Sequence, residues 1–387
     1  MNRKFFHIII SAMQLLPLAN LWSQTSISVT QNSAYYSNSF YNSQQLPDLN
    51  NEIGLSIAHV FEGEQIQSQL YYQGDLNLFQ KFSDRLYHNQ AFGYDGYTNS
   101  DDEQKALYFG GNLLWHDGQQ DYNIYDYWKL QGYVNARIDL RSNLIGRFGY
   151  QLSNKTYSQL PEFNYWEHSI FARLNTYFQT GTSLTLLVNY GLKDYIPLAT
   201  SSGQGRGRRA VVEYTEMPSV DQLVTSFKLA QSLGMKTSLS LEYLNRLHPG
   251  LVGGSAAVMN SNNLFTEDEL FDDRYGYSGH ELTTTFTHFL PGYVKLELNG
   301  SCVWKNYLNR QVYDSEGNLN AADPSRQDQR WLAWFEISRS FKLNRGIKNL
   351  GLSLQGGYLK NDSNDPFYQF DNYFISMGIN LKFAFGI

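Results

Sequence analysis

The stretch from Tyr373 to Ile387, YFISMGINLKFAFGI, decides the fold. Tyr373, Ile375, Met377, Ile379, Leu381, Phe383, Phe385 and Ile387 alternate with Phe374, Ser376, Gly378, Asn380, Lys382, Ala384 and Gly386. Successive side chains of a strand point to opposite faces, so this period of two gives one apolar face and one more polar face. A long strand that is greasy on one side and polar on the other suits a sheet between hydrocarbon and a wet interior. The expectation is the closing strand of a transmembrane barrel.

The same grammar recurs upstream. Between Gln65 and Leu78, Ile66, Leu70, Tyr72, Leu76 and Leu78 oppose Gln67, Gln69, Gln73, Asp75 and Asn77. Lys129 to Leu140 and Tyr293 to Trp304 repeat it, with Leu130, Val134 and Ile138 or Leu296, Leu298 and Trp304 on the apolar face. Strands of soluble sheets usually hold five or six residues, whereas a tilted membrane strand needs roughly 9 to 11. Aromatic residues make up 16% of the chain while there are only 9 prolines, as expected where apolar residues occupy alternate positions of many strands.

Arg3 and Lys4 precede an apolar stretch from Phe5 to Leu18, and a cleavage site is expected near Ser23 or Gln24. That is the layout of a secretory signal peptide, and the stretch is shorter than the roughly 20 residues of a spanning helix. Residues 1–23 are therefore expected to be the signal and 24–387 a single barrel domain. The single Cys302 cannot form an internal disulfide. A formal charge of −6, more negative still once Arg3 and Lys4 leave, argues against a nucleic-acid partner.

Connections alternate in length. Tight turns are read at Leu140 to Asn143, Thr180 to Ser183, Gln231 to Met235, Leu290 to Tyr293 and Leu343 to Asn349. Longer polar segments lie between them, including Asp194 to Ser219, His248 to Ser278 and Asn306 to Asp328. Short periplasmic turns and long outer loops are the pattern of outer-membrane barrels. With Leu86 to Tyr97 counted as a strand, the reading is an all-β, antiparallel up-and-down barrel of about 16 strands with both termini periplasmic. Without that segment and Ser26 to Tyr36 the number is about 14.

These features together resemble a Gram-negative outer-membrane β-barrel protein of porin-like type, over nearly the whole mature chain. The terminal strand with its near-terminal Phe385 is similar to the aromatic signal by which such barrels are recognised for assembly, although Gly386 and Ile387 follow it. The resemblance implies the cell outer membrane, contact with its lipid and lipopolysaccharide, and a barrel-assembly machinery as partner. It implies place and shape more than activity.

No catalytic set is assigned. His168 is followed directly by Ser169, which points to the opposite face of a strand, and no base or orienting group stands at readable spacing. The acids Glu267, Asp268, Glu269, Asp272 and Asp273 read as a solvated run, and Asp314 to Asn318 as a surface turn on Gly317. No cofactor or metal is expected. Gly203-Gln-Gly-Arg-Gly-Arg-Arg209 is more distinctive, because its arginines fork toward carboxylate or phosphate. Arg206, Arg208 and Arg209 are candidates for a constriction if this loop folds inward.

Strand parity places Lys129, Arg137, Arg147, Arg173 and Arg246 among the inward basic residues. With Lys193, Lys228 and other lysines they outnumber the inward carboxylates Asp75, Asp139, Glu167, Glu242, Glu297 and Glu336. Side-chain charge lining a pore sets its selectivity. The expected function is a passive pore for small solutes with a mild anion preference; the alternative is a structural or surface-binding barrel without an open channel.

Overall fold

The computed structural model describes residues 23–99, 104–202, 211–215, 219–251, 274–307, 310–320, 325–343 and 347–386. Its first strands are β1 (Ser23–Tyr36), β2 (Asp48–Glu62), β3 (Ile66–Phe79), β4 (Tyr87–Asn99), β5 (Lys105–Gly118) and β6 (Tyr127–Arg141). Next come β7 (Leu144–Tyr157), β8 (Tyr165–Tyr177), β9 (Thr182–Tyr195), β10 (Leu198–Ser202), β11 (Val211–Thr215) and β12 (Val220–Ser232). The chain continues through β13 (Thr237–Leu247), β14 (Ser278–Leu290), β15 (Val294–Asn306), β16 (Gln327–Lys342), β17 (Ile347–Ser363) and β18 (Phe370–Gly386).

Sixteen of these strands pair with their neighbours in a closed barrel, while β10 and β11 form a separate hairpin between β9 and β12. Closure is made by β1 against β18, antiparallel, with Ser28 opposite Lys382 and Tyr35 opposite Ile375. The weak segment after Leu86 is a full strand, β4, held between β3 and β5. Closure gives every strand two partners, which is what backbone amides and carbonyls require in lipid.

Parity follows the sequence reading. Ile170, Leu130 and Met377 stay 59%, 54% and 65% exposed on the outside. In water such a belt would be an aggregation surface; in hydrocarbon it is matched to its solvent. Aromatic and imidazole rings border the belt. At one edge Trp115 stacks on Trp128 and Tyr243 on His280; at the other His59 packs against Phe61 and Phe286 against His288. His280 and His288 share the outer face of β14, and eight residues along a tilted strand separate them by about 20 Å across the membrane. That span fits an apolar band of roughly 25 Å. The architecture is that of an outer-membrane barrel.

Short connections at 63–65, 142–143, 178–181, 233–236 and 291–293 gather at one end with both ends of the barrel chain, and the longer ones at the other. The side chains most thoroughly enclosed by protein lie toward the long-loop end. Asn38, Lys193, Val312 and Asn361 are fully buried there. Loop 37–47 is tied to the β17–β18 connection by Ser43 N–H donating to the Phe367 carbonyl at 2.9 Å. Arg326, in front of β16, grips Asp328 through Nε and Nη2 at 2.9 and 2.5 Å and lies over the Tyr368 ring.

Candidate functional site: the charged lumen

Inward side chains divide the wall into arcs of different charge. On β2 to β5 the inward positions carry Asp48, Glu52, Glu62, Asp75 and Asp95 and no Lys or Arg. Asp75 Oδ2 accepts from the Asn77 and Asn89 amides at 2.8 and 2.9 Å, and Asp95 accepts from the Tyr133 hydroxyl at 2.7 Å. Both carboxylates are thus held by neutral donors, and no Lys or Arg contacts either among the described residues.

The next arc, β6 to β9, is basic. Arg137 on β6 stands opposite Arg147 on β7, and Arg147 stands opposite Arg173 on β8. Of these three arginines, only Arg137 has a carboxylate in contact among the described residues, Asp139 at 2.9 Å on its own strand. Arg147 is exposed to the lumen near the Tyr108 ring, and Arg173 Nε is a buried donor with no partner among the described residues. Like charges at directly opposed positions destabilise a sheet. An arrangement kept despite that cost is suited to receiving an anion between the guanidiniums. Lys129 and Lys155 repeat the pattern nearer the long-loop end, where Lys155 sits over the Tyr127 and Tyr157 rings.

On β12 to β15 the charges interleave instead. Lys228 pairs with Glu242 at 3.6 Å, Arg246 with Glu281 at 3.6 Å and Lys295 with Glu297 at 2.5 Å. Arg246 therefore belongs to a neutralised ladder, unlike Arg147 and Arg173. Parity reading also omitted the inward Glu52, Asp95 and Glu281, so the basic surplus is smaller than the sequence count and is concentrated in one arc.

Arg206, Arg208 and Arg209 lie outside the described residues, as do the acids at 267–273. Among the described residues, the segment that enters the barrel from a long loop is Arg274 to Tyr277, ahead of β14. Arg274 Nη2 donates to Glu167 Oε1, and the Tyr275 hydroxyl donates to the same oxygen at 3.0 Å. Gly191 leaves the space that the Tyr275 hydroxyl fills; a side chain there would collide with it. Lys193 lies over the Tyr165 ring at 4.2 Å and near Tyr275. The Tyr275 carbonyl can only accept, so His248 Nε2, 2.9 Å away, carries the proton. Burial and the adjacent Glu167 push the Tyr275 hydroxyl pKa upward. Burial alone disfavours the Arg274 charge, but Tyr275 and Glu167 outweigh it and raise its pKa.

Sequence reasoning missed Lys155 because it ended β7 too early, although Lys155 continues the parity of Arg147. Nothing in the sequence signals the contact of Arg274 with Glu167, which joins positions 107 apart. His168 faces lipid, its Nδ1 bonded to the Tyr150 hydroxyl at 2.7 Å, while Ser169 faces inward and accepts from Asn189.

No family model and no curated protein sequence matches the chain. Its structure is similar to OpdL of Pseudomonas aeruginosa, with 12% identity, 96% of this chain and 100% of that one covered, and a TM-score of 0.44. OccAB1 of Acinetobacter baumannii gives 11% identity, 96% and 99% coverage and a TM-score of 0.48. The outer membrane protein OprD of Pseudomonas aeruginosa gives 10%, 97% and 96%, and 0.47. The architecture stated above rests on the strand pairing and the lipid-facing belt of this chain.

Proposed function

We propose that this protein is an outer-membrane pore that passes small solutes with a mild preference for anions, exported by a cleaved signal at residues 1–23. The short-turn end faces the periplasm and the long loops face outward. The observation that carries the reading is the opposition of Arg147 and Arg173 inside the barrel, with no carboxylate contacting either among the described residues. Two fixed positive charges on one wall raise the local concentration of anions and lower their entry barrier.

A second reading, a structural or surface-binding barrel without an open channel, is favoured by the dense packing of Asn38, Lys193 and Val312 under the long loops. Planar-bilayer recording separates the two. A pore gives stepwise conductance and, under a salt gradient, a reversal potential displaced toward that of the anion. Absence of conductance from protein that migrates as a folded barrel sinks the pore reading and leaves the second.

A further inference from the structure

Arg339 is an exposed arginine on the lipid side of β16, at the parity of Trp331, Phe335 and Ile337 and three residues before the strand ends at Lys342. No carboxylate contacts it among the described residues. Its guanidinium lies over the Phe341 ring at 4.5 Å and reaches the neighbouring turn, where a methyl on Gly292 would stand 3.8 Å from Cζ. A charged side chain on the lipid face is tolerated near the membrane edge, where its head reaches anionic groups.

The rim around it is unusual. Tyr293, in the turn beside Arg339, holds a left-handed φ of 59° and is 88% exposed. Such backbone favours Gly or Asn, so a strained, exposed tyrosine marks a contact outside the barrel. Leu233 and Met235 project from the adjacent turn, and Met235 is wholly exposed. Lys236 and Lys348 flank the group, and the turns at 178–181, 233–236 and 291–293 contain no Asp or Glu. Across the barrel, the connection at 63–65 carries Glu64.

We propose that Arg339, Phe341 and the Gly292–Tyr293 turn form a binding site for the headgroup phosphate of an anionic phospholipid. The apolar turn tips lie among the upper acyl carbons, and Lys236 and Lys348 supply the long-range attraction. Lipid is the occupant the geometry favours, because Arg339 opens onto the hydrocarbon belt and its partner must bring a negative charge to that depth. One basic residue near a membrane surface contributes about a fivefold preference for anionic lipid.

The test uses the full mature protein in micelles with equal mole fractions of phosphatidylglycerol and phosphatidylcholine, with retained lipid read by native mass spectrometry. Wild type is expected to retain phosphatidylglycerol about fivefold over phosphatidylcholine. Arg339→Gln is expected to bring that ratio close to one, Arg339→Lys to an intermediate value, and Lys105→Gln on the opposite rim to leave it unchanged. Arg339→Lys keeps the charge and so keeps the test informative should Arg339→Gln fail to fold. Equal retention by wild type, or a preference that survives Arg339→Gln, overturns the site. A spectrum of paired chains without lipid overturns it in favour of self-association.

Discussion

Arg147 on β7 and Arg173 on β8 occupy directly opposed positions of an antiparallel pair, both pointing into the lumen. Like charges placed directly opposite each other on neighbouring strands are destabilising. Arg173→Gln is therefore expected to unfold at slightly higher denaturant than wild type, while the double replacement Arg147→Gln, Arg173→Gln moves the reversal potential toward zero selectivity. Stability gained where selectivity is lost is the signature of a site kept for function. An unchanged reversal potential removes these arginines from the permeation path.

Glu167 holds the Arg274 to Tyr277 segment inside the barrel through two donors on one carboxylate oxygen. Glu167→Gln loses the charge that Arg274 needs and destabilises the docked segment by about 1–3 kcal/mol. Cleavage by added trypsin after Arg274 should become faster in the variant, with the barrel itself intact on gels. Equal cleavage rates would show that the segment is held by something else.

The docked segment should also loosen in acid. Burial lowers the pKa of His248 below its usual 6.5, with Asp221 acting in the opposite direction. The undocked state then binds more protons, so the stability contributed by neutral His248 is complete above 6.5 and is lost as pH falls through the lowered value. Glu167 and Lys193 contact the same docked segment through Arg274 and Tyr275. Amide exchange at Gly250 and Leu251, which donate to Asp221 at 3.0 and 2.8 Å, should accelerate in acid beyond the intrinsic trend. The same acceleration in His248→Gln would exclude the imidazole as the cause.

Orientation is open to chemical labelling. A cysteine at Ser315, exposed in the turn built on Gly317, should react with an impermeant thiol reagent on intact cells, and one at Ser142 in the β6–β7 turn should not. The native Cys302 is buried on the outer face of β15 and serves as the silent background. Labelling at Ser142 alone would invert the assignment of the two ends.

Much of the fold was legible because each strand reports its two environments residue by residue. Tyr373 to Phe385 read correctly as the closing strand without knowledge of any partner, since lipid on one side and water on the other select side chains locally. Leu86 to Tyr97 was harder, because Gly96 interrupts its apolar face, yet β4 pairs along its whole length. The end of β7 was set too early because Asn154 and Thr156 occupy outward positions beyond the apolar belt, where hydropathy no longer marks a strand.

By itself the sequence determined the barrel strands, their inward and outward faces, the even count and the sorting of short turns from long loops, all properties of period and local composition, but not the β10–β11 hairpin inside a segment it reads as polar loop. Only the tertiary structure decided which charges meet. Arg147 faces Arg173 because of the register between β7 and β8, whereas Arg246 is neutralised by Glu281. Arg274 finds Glu167 because the segment ahead of β14 reaches the inward face of β8. Such pairings depend on stagger and closure, which are set by the hydrogen bonding of all the strands together and leave no imprint on any one segment.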